Sequence, residues 1–120
     1  MIITVPTIKR EEVNGEIVTT KGKMQLQVDT SLKAHLKWEK YFESTLKCDL
    51  TEYVGRIQKS FSKDKVSLLS AMKMLYCFTN SDKLPTFEDF LELFDYDVAD
   101  EILIEIQKVL KEIGSTVTKN

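Results

Sequence analysis

A chain of 120 residues, 42% apolar and 30% charged, suffices for one hydrophobic core and is too short for a second catalytic domain. That balance excludes a disordered tail or a fibrous repeat, and no apolar run approaches the roughly 18 residues of a membrane helix. The net charge of −2 conceals a gradient, 14 Lys/Arg against 10 Asp/Glu over residues 1–83 and 3 against 9 over residues 84–120. Head-to-tail attraction between copies is one expectation from it, and solvated helix faces of unlike sign are the other.

The start, Met1 to Val5, lacks the basic head and long apolar segment of an export signal. Cys48 and Cys77 stand in no metal or redox spacing, so a cytoplasmic protein with two reduced thiols and no disulfide is expected.

The first thirty residues read as strands, with β-branched runs at Ile2–Val5 and Ile17–Thr20 and an alternating Met24, Leu26, Val28. Turns at Asn14-Gly15 and Lys21-Gly22 predict an antiparallel hairpin or meander. Such a unit is marginal in water and must pack on the helices or on a neighbouring subunit.

Asp29 or Thr30 is placed to cap a helix from Ser31, SLKAHLKWEKYF. At 100° per residue Leu32, His35, Leu36, Trp38 and Phe42 share one side, and Lys33, Lys37 and Lys40 the other. Glu39 falls among the apolar group, where a charge needs a partner, either His35 one turn back or a group on another chain. Asp49 can cap the next helix, whose apolar stripe is Leu50, Tyr53, Val54 and Ile57.

The segment Asp64–Phe78 is apolar on nearly every side and predicts a central helix. After Leu84-Pro85, Thr86 can cap a short helix with Asp89 three residues on, burying Phe87, Phe90, Leu91 and Phe94. The last helix is expected from about Val98 to Ile113, stopped by Gly114, with Ile104 alone on its solvated face and a flexible tail over 115–120. The predicted fold is a single α+β domain, mainly α: a β hairpin or meander over 1–30 followed by a bundle of about five helices over 31–114.

Chemistry is hard to place on this pattern. His35 is the single histidine, and Ser31 one turn earlier lacks the oxyanion donors and orienting acid of a triad. The run Asp95, Asp97, Asp100, Glu101 departs from a calcium loop at Ala99, Asp100 and Ile106, so helix capping explains it better. Four scattered glycines form no phosphate loop. No enzyme, cofactor or metal is therefore expected. Lys33, Lys37, Lys40 and Lys47 form a basic stripe beside Tyr41, which makes a small helical nucleic-acid-binding regulator the alternative reading. The acidic tail and Glu43 weigh against it.

The segments SLKAHLKWEKYF, LTEYVGRI, LLSAMKMLYCF with PTFEDFLELFD, and STVTKN together resemble the tail assembly chaperones of long-tailed bacteriophages and prophages of Gram-positive bacteria. The likeness spans about Ser31 to Asn120. It implies a protein that binds the tape measure protein, keeps it soluble, and helps recruit major tail protein as the tail tube grows. It also implies work in the host cytoplasm, absence from the finished virion, and a longer frameshifted form of which this chain is the short version. Many weak repeated contacts and self-association suit such a role, because avidity then replaces individual affinity. The candidate partner-binding residues are Trp38, Glu39, Tyr41, Phe42 and Ile104, with Glu39 giving register across an interface.

Overall fold

Asn14 and Gly15 set the first element. Both adopt positive φ, 54° and 81°, as a two-residue hairpin connection of the primed type requires. From that turn β1 (Ile2–Val13) and β2 (Glu16–Gln27) pair antiparallel from Val13↔Glu16 to Ile2↔Gln27. The computed structural model describes residues 1–80 and 86–118, with side chains through Gly114.

The unit is a hairpin and not a meander. Lys21 and Gly22 pair with Ile8 and Thr7 inside β2 and make no turn, since the register set at Asn14-Gly15 gives both residues a partner strand. Pro6 lies one residue out of step with the hydrogen-bonded pairs, so its missing N–H takes nothing from the ladder.

Only the root of the hairpin is packed. Ile3, Val5, Ile8, Leu26 and Val28 are buried, whereas residues 9–23 are exposed and project from a molecule of 56 × 28 × 25 Å. Backbone bonds pin the root: Ile8 N donates to Leu93 O at 2.8 Å, Asp29 N to Phe78 O at 2.7 Å and Asn80 N to Gln27 O at 2.9 Å.

Five helical stretches follow, so the fold is α+β and mainly α. In the first, α1 (Leu32–Trp38) continues through a π-helical turn (Glu39–Glu43) into α2 (Ser44–Leu46), where Lys47 at φ 55° ends it. Residues four apart on an α-helix drift by about 40° per step. A π turn takes up the extra residue, so Ala34, Trp38, Phe42 and Leu46 all stay over the core. The cap is Ser31, whose hydroxyl accepts from Lys33 N, while Asp29 lies before it and its carboxylate accepts from Ser31 N at 2.9 Å. This corrects the expected Asp29 or Thr30 cap.

Asp49 caps α3 (Leu50–Ser62) through Glu52 N at 2.8 Å, and its predicted stripe Leu50, Tyr53, Val54 and Ile57 is buried throughout. The central helix is α4 (Leu68–Phe78), with Ala71, Met72 and Met74 to Phe78 all buried. Thr86 caps α5 (Phe87–Leu91) through Asp89 N at 3.0 Å, and the Leu84-Pro85 boundary lies outside the described residues.

A 3-10 turn, Tyr96–Val98, leads into α6 (Ala99–Thr118), which buries Ile102, Ile106, Val109 and Leu110. Asp95 does not cap this helix; its carboxylate takes Arg10 at 3.0 Å. Nor does Gly114 stop it, because a glycine ends a helix by adopting positive φ, and Gly114 does not. The expected flexible tail thus begins inside α6, and residues 119–120 lie outside the described residues.

Candidate interaction surface

Trp38 is 1% exposed; its ring lies 4.5 Å from that of Tyr53 and 5.2 Å from that of Phe42, and its indole N–H donates to Cys48 O at 2.8 Å. Phe42 is buried and meets Phe87 edge-on at 5.2 Å. Both belong to the aromatic centre of the core, so neither offers a surface to a partner. That corrects their assignment as contact residues.

Tyr41 lies at the edge of this cluster, its ring T-shaped to Tyr76 at 5.7 Å with Lys40 Nζ 5.3 Å from its centroid. Burial and this neighbour push the Tyr76 phenol well above its ordinary value. Glu39 is exposed and makes no ion pair among the described residues. The expectation of a buried acid needing a partner is overturned, because the face it shares with Leu32 and Leu36 points to solvent. Ile104 is 56% exposed on α6, a helix that packs on β1 and α4.

Lys37 also departs from its expected place. Its ammonium donates to Tyr76 O at 2.9 Å and to Thr79 O at 3.2 Å, and lies 3.7 Å from the Tyr76 ring centroid. It closes the negative end of α4 and is not part of a solvated basic stripe. Burial lowers its pKa.

Apolar surface is open in four places among the described residues. Leu32 and Leu36, one turn apart on α1, are 82% and 68% exposed. The hairpin arm carries Val13, Ile17 and Val18 near its tip. A groove of about 370 Å³ runs between the start of α4 and the end of α5, lined by Leu68, Leu69, Met72, Phe94 and Tyr96. A second groove, about 290 Å³, lies beside His35, Leu50, Val54 and Ile113. The expectation that Leu32 and Leu36 face inward is overturned, and the signal that points them outward is the fourfold spacing Ala34, Trp38, Phe42, Leu46.

Reactive chemistry finds no assembly here. Among the described residues no group of three or more His, Cys, Asp or Glu is placed to hold a metal ion, and no helix is long and apolar enough to cross a membrane. The Ser31 hydroxyl serves as a helix cap. Cys48 and Cys77 are free and buried, and burial pushes the Cys77 thiol up to about 12. Alkylation of the folded protein at pH 8 should accordingly run at least about tenfold slower than that of the unfolded chain. Rapid native labelling of Cys77 would show that α4 opens. Compared with protein-family models, curated proteins and solved structures, the chain has no match.

Proposed function

We propose that this protein is a tail assembly chaperone of a long-tailed bacteriophage or prophage, acting in the host cytoplasm and left out of the virion. It binds the tape measure protein, holds it soluble, and brings major tail protein to the growing tube, in part through a longer frameshifted form. The observation that carries the reading is the pair Leu32 and Leu36, large aliphatic residues one turn apart and displayed on the outer face of α1. Apolar side chains in such positions serve contact with another polypeptide. The resemblance of the segments from Ser31 onward supplies the kind of polypeptide. Copies that self-associate would present the same face repeatedly, so that weak contacts sum along a long helical client.

The engagement of Lys37 with α4 removes one cation from the stripe that favoured nucleic acid. Co-expression with a tape measure protein tests the proposal. Soluble tape measure protein co-purifying with the chain is the expected result, with Leu32→Glu/Leu36→Glu lowering the soluble yield severalfold. A tape measure protein that precipitates equally with and without the chain ends the proposal.

A further inference from the structure

We propose that the groove of about 290 Å³ lined by α1, α3 and α6 receives an amphipathic helix of the client, whose backbone is let in close by two glycines that the fold itself does not need. The proposal rests on the chaperone reading above and names the surface and the kind of segment it takes.

Gly55 stands in the middle of α3 and Gly114 lies within α6, neither with positive φ. At such a φ a helix interior gains nothing from glycine, and alanine would hold it better. Close packing inside the chain does not require them either. Among the described residues, a Cβ placed on Gly55 meets nothing within 4 Å, and one placed on Gly114 meets only Gln58 Nε2, at an ordinary 3.9 Å. Both line the same groove from two different helices, so what their missing side chains leave is room in that groove. Glycine serves where another backbone must come near.

The rest of the lining defines what comes near. Buried Leu50, Val54 and Phe78, with half-buried Ile113, give the groove apolar walls. No Asp, Glu, Lys or Arg lines it among the described residues, so a charged side chain inserted there would lose its water and find no counter-charge. His35, Thr51 and Gln58 add neutral polar groups, and their side chains make no hydrogen bond among the described residues. Apolar walls with a few neutral polar groups fit the inner face of an amphipathic helix.

Position decides between a polypeptide and a small ligand. Leu32, one turn before the lining residue His35 and on the same side of α1, is 82% exposed. The apolar surface therefore continues from the groove onto an open helix face. A small molecule is held by enclosure, whereas a surface of this extended form suits a segment several turns long.

Titration of the isotope-labelled full chain with overlapping peptides of the tape measure protein tests this, each peptide about 20 residues and so about 30 Å long as a helix. The four glycine amides are separate reporters in the nuclear magnetic resonance spectrum. Gly55 and Gly114 should shift on binding, while Gly15 and Gly22, in the hairpin, should stay in place. A bound peptide should gain helix by circular dichroism. Gly55→Leu should fill the groove and weaken binding at least about tenfold, while its own urea midpoint rises, because leucine holds a helix interior better than glycine. Gly55→Ala should also raise the midpoint and should weaken binding less. A glycine with a merely structural role cannot give opposite signs for stability and binding. Peptides that move Gly15 and Gly22 instead, a set in which none moves Gly55, or a Gly55→Leu chain that binds as wild type would each overturn the site. So would a Gly55→Leu chain less stable than wild type, since the fold would then require the glycine. Shifts at Gly55 that grow with protein concentration in the absence of peptide would seat a second copy in the groove and overturn its assignment to the client. A Gly55→Leu chain that keeps tape measure protein as soluble as wild type does overturns the groove and leaves the chaperone reading standing. A groove that binds peptides on a chain that leaves the whole tape measure protein insoluble does the reverse.

Discussion

Trp38→Ala should cost the fold about 4 kcal/mol, the middle of the range for emptying a large aromatic site in a core. The indole is 1% exposed, ringed by Tyr53 and Phe42, and its N–H bonds the Cys48 carbonyl just beyond the end of α2. Truncation leaves a void beside α3 and an unpaired buried carbonyl, and the π-helical turn that follows limits how far the helix can settle into the gap. Against a total stability of about 5–15 kcal/mol for a domain of this kind, that is a large share. Urea unfolding followed by circular dichroism should show the midpoint falling with the slope unchanged. Trp38→Phe keeps much of the stacking but loses the hydrogen bond and part of the ring volume, for about 2–3 kcal/mol. An alanine variant that unfolds within about 1 kcal/mol of wild type while its oligomeric state changes would place the residue at an interface after all.

The contrast between Trp38 and its neighbours shows what the amino-acid pattern carries and what it omits. Turn chemistry at Asn14-Gly15, the caps at Asp49 and Thr86, the stripe of α3 and the all-round apolar character of α4 are local signals, and each appears in the fold where it was expected. The arc expected to face the core in the first helix is centred on Glu39, whereas the core takes the edge of that arc on which Trp38 and Phe42 lie. At 100° per residue Leu36 lies roughly 160° from Trp38 and Leu32 roughly 120°, so burying Trp38 turns both leucines and Glu39 outward. The inward line is Ala34, Trp38, Phe42 and Leu46, and the π turn, which follows Trp38, keeps the later members of that line over the core. Nothing in the residue types marks where such a turn falls, since it is chosen by the packing of Trp38 and Phe42 against α3 to α5. The groove beside Tyr96 was equally invisible, because its walls come from two helices whose relative placement is tertiary.

Lys37→Met should destabilise by about 2 kcal/mol, although the substitution keeps the length of the side chain and makes it more apolar. The ammonium is the shared partner of the Tyr76 and Thr79 carbonyls, which close the last turn of α4 and the step into the Val28↔Thr79 bridge. Hydrogen bonds from a charged donor contribute about 1.5–3 kcal/mol each, and the Tyr76 face adds about 1 kcal/mol. Desolvation of a half-buried cation offsets part of that sum, as its lowered pKa records. The same lowering gives a pH signature. Below the folded pKa both states hold the proton and the group's contribution is at its minimum. Between that value and the unfolded value of about 10.4 the unfolded chain binds more protons, so stability rises with pH. Wild type should therefore gain on Lys37→Met as pH is raised toward about 10, read as a widening gap between their urea midpoints. A gap that narrows over that window would mean that the carbonyls and the ring hold the charged form more strongly than burial opposes it. A variant as stable as wild type at neutral pH would return Lys37 to the solvated stripe and with it the case for phosphate binding.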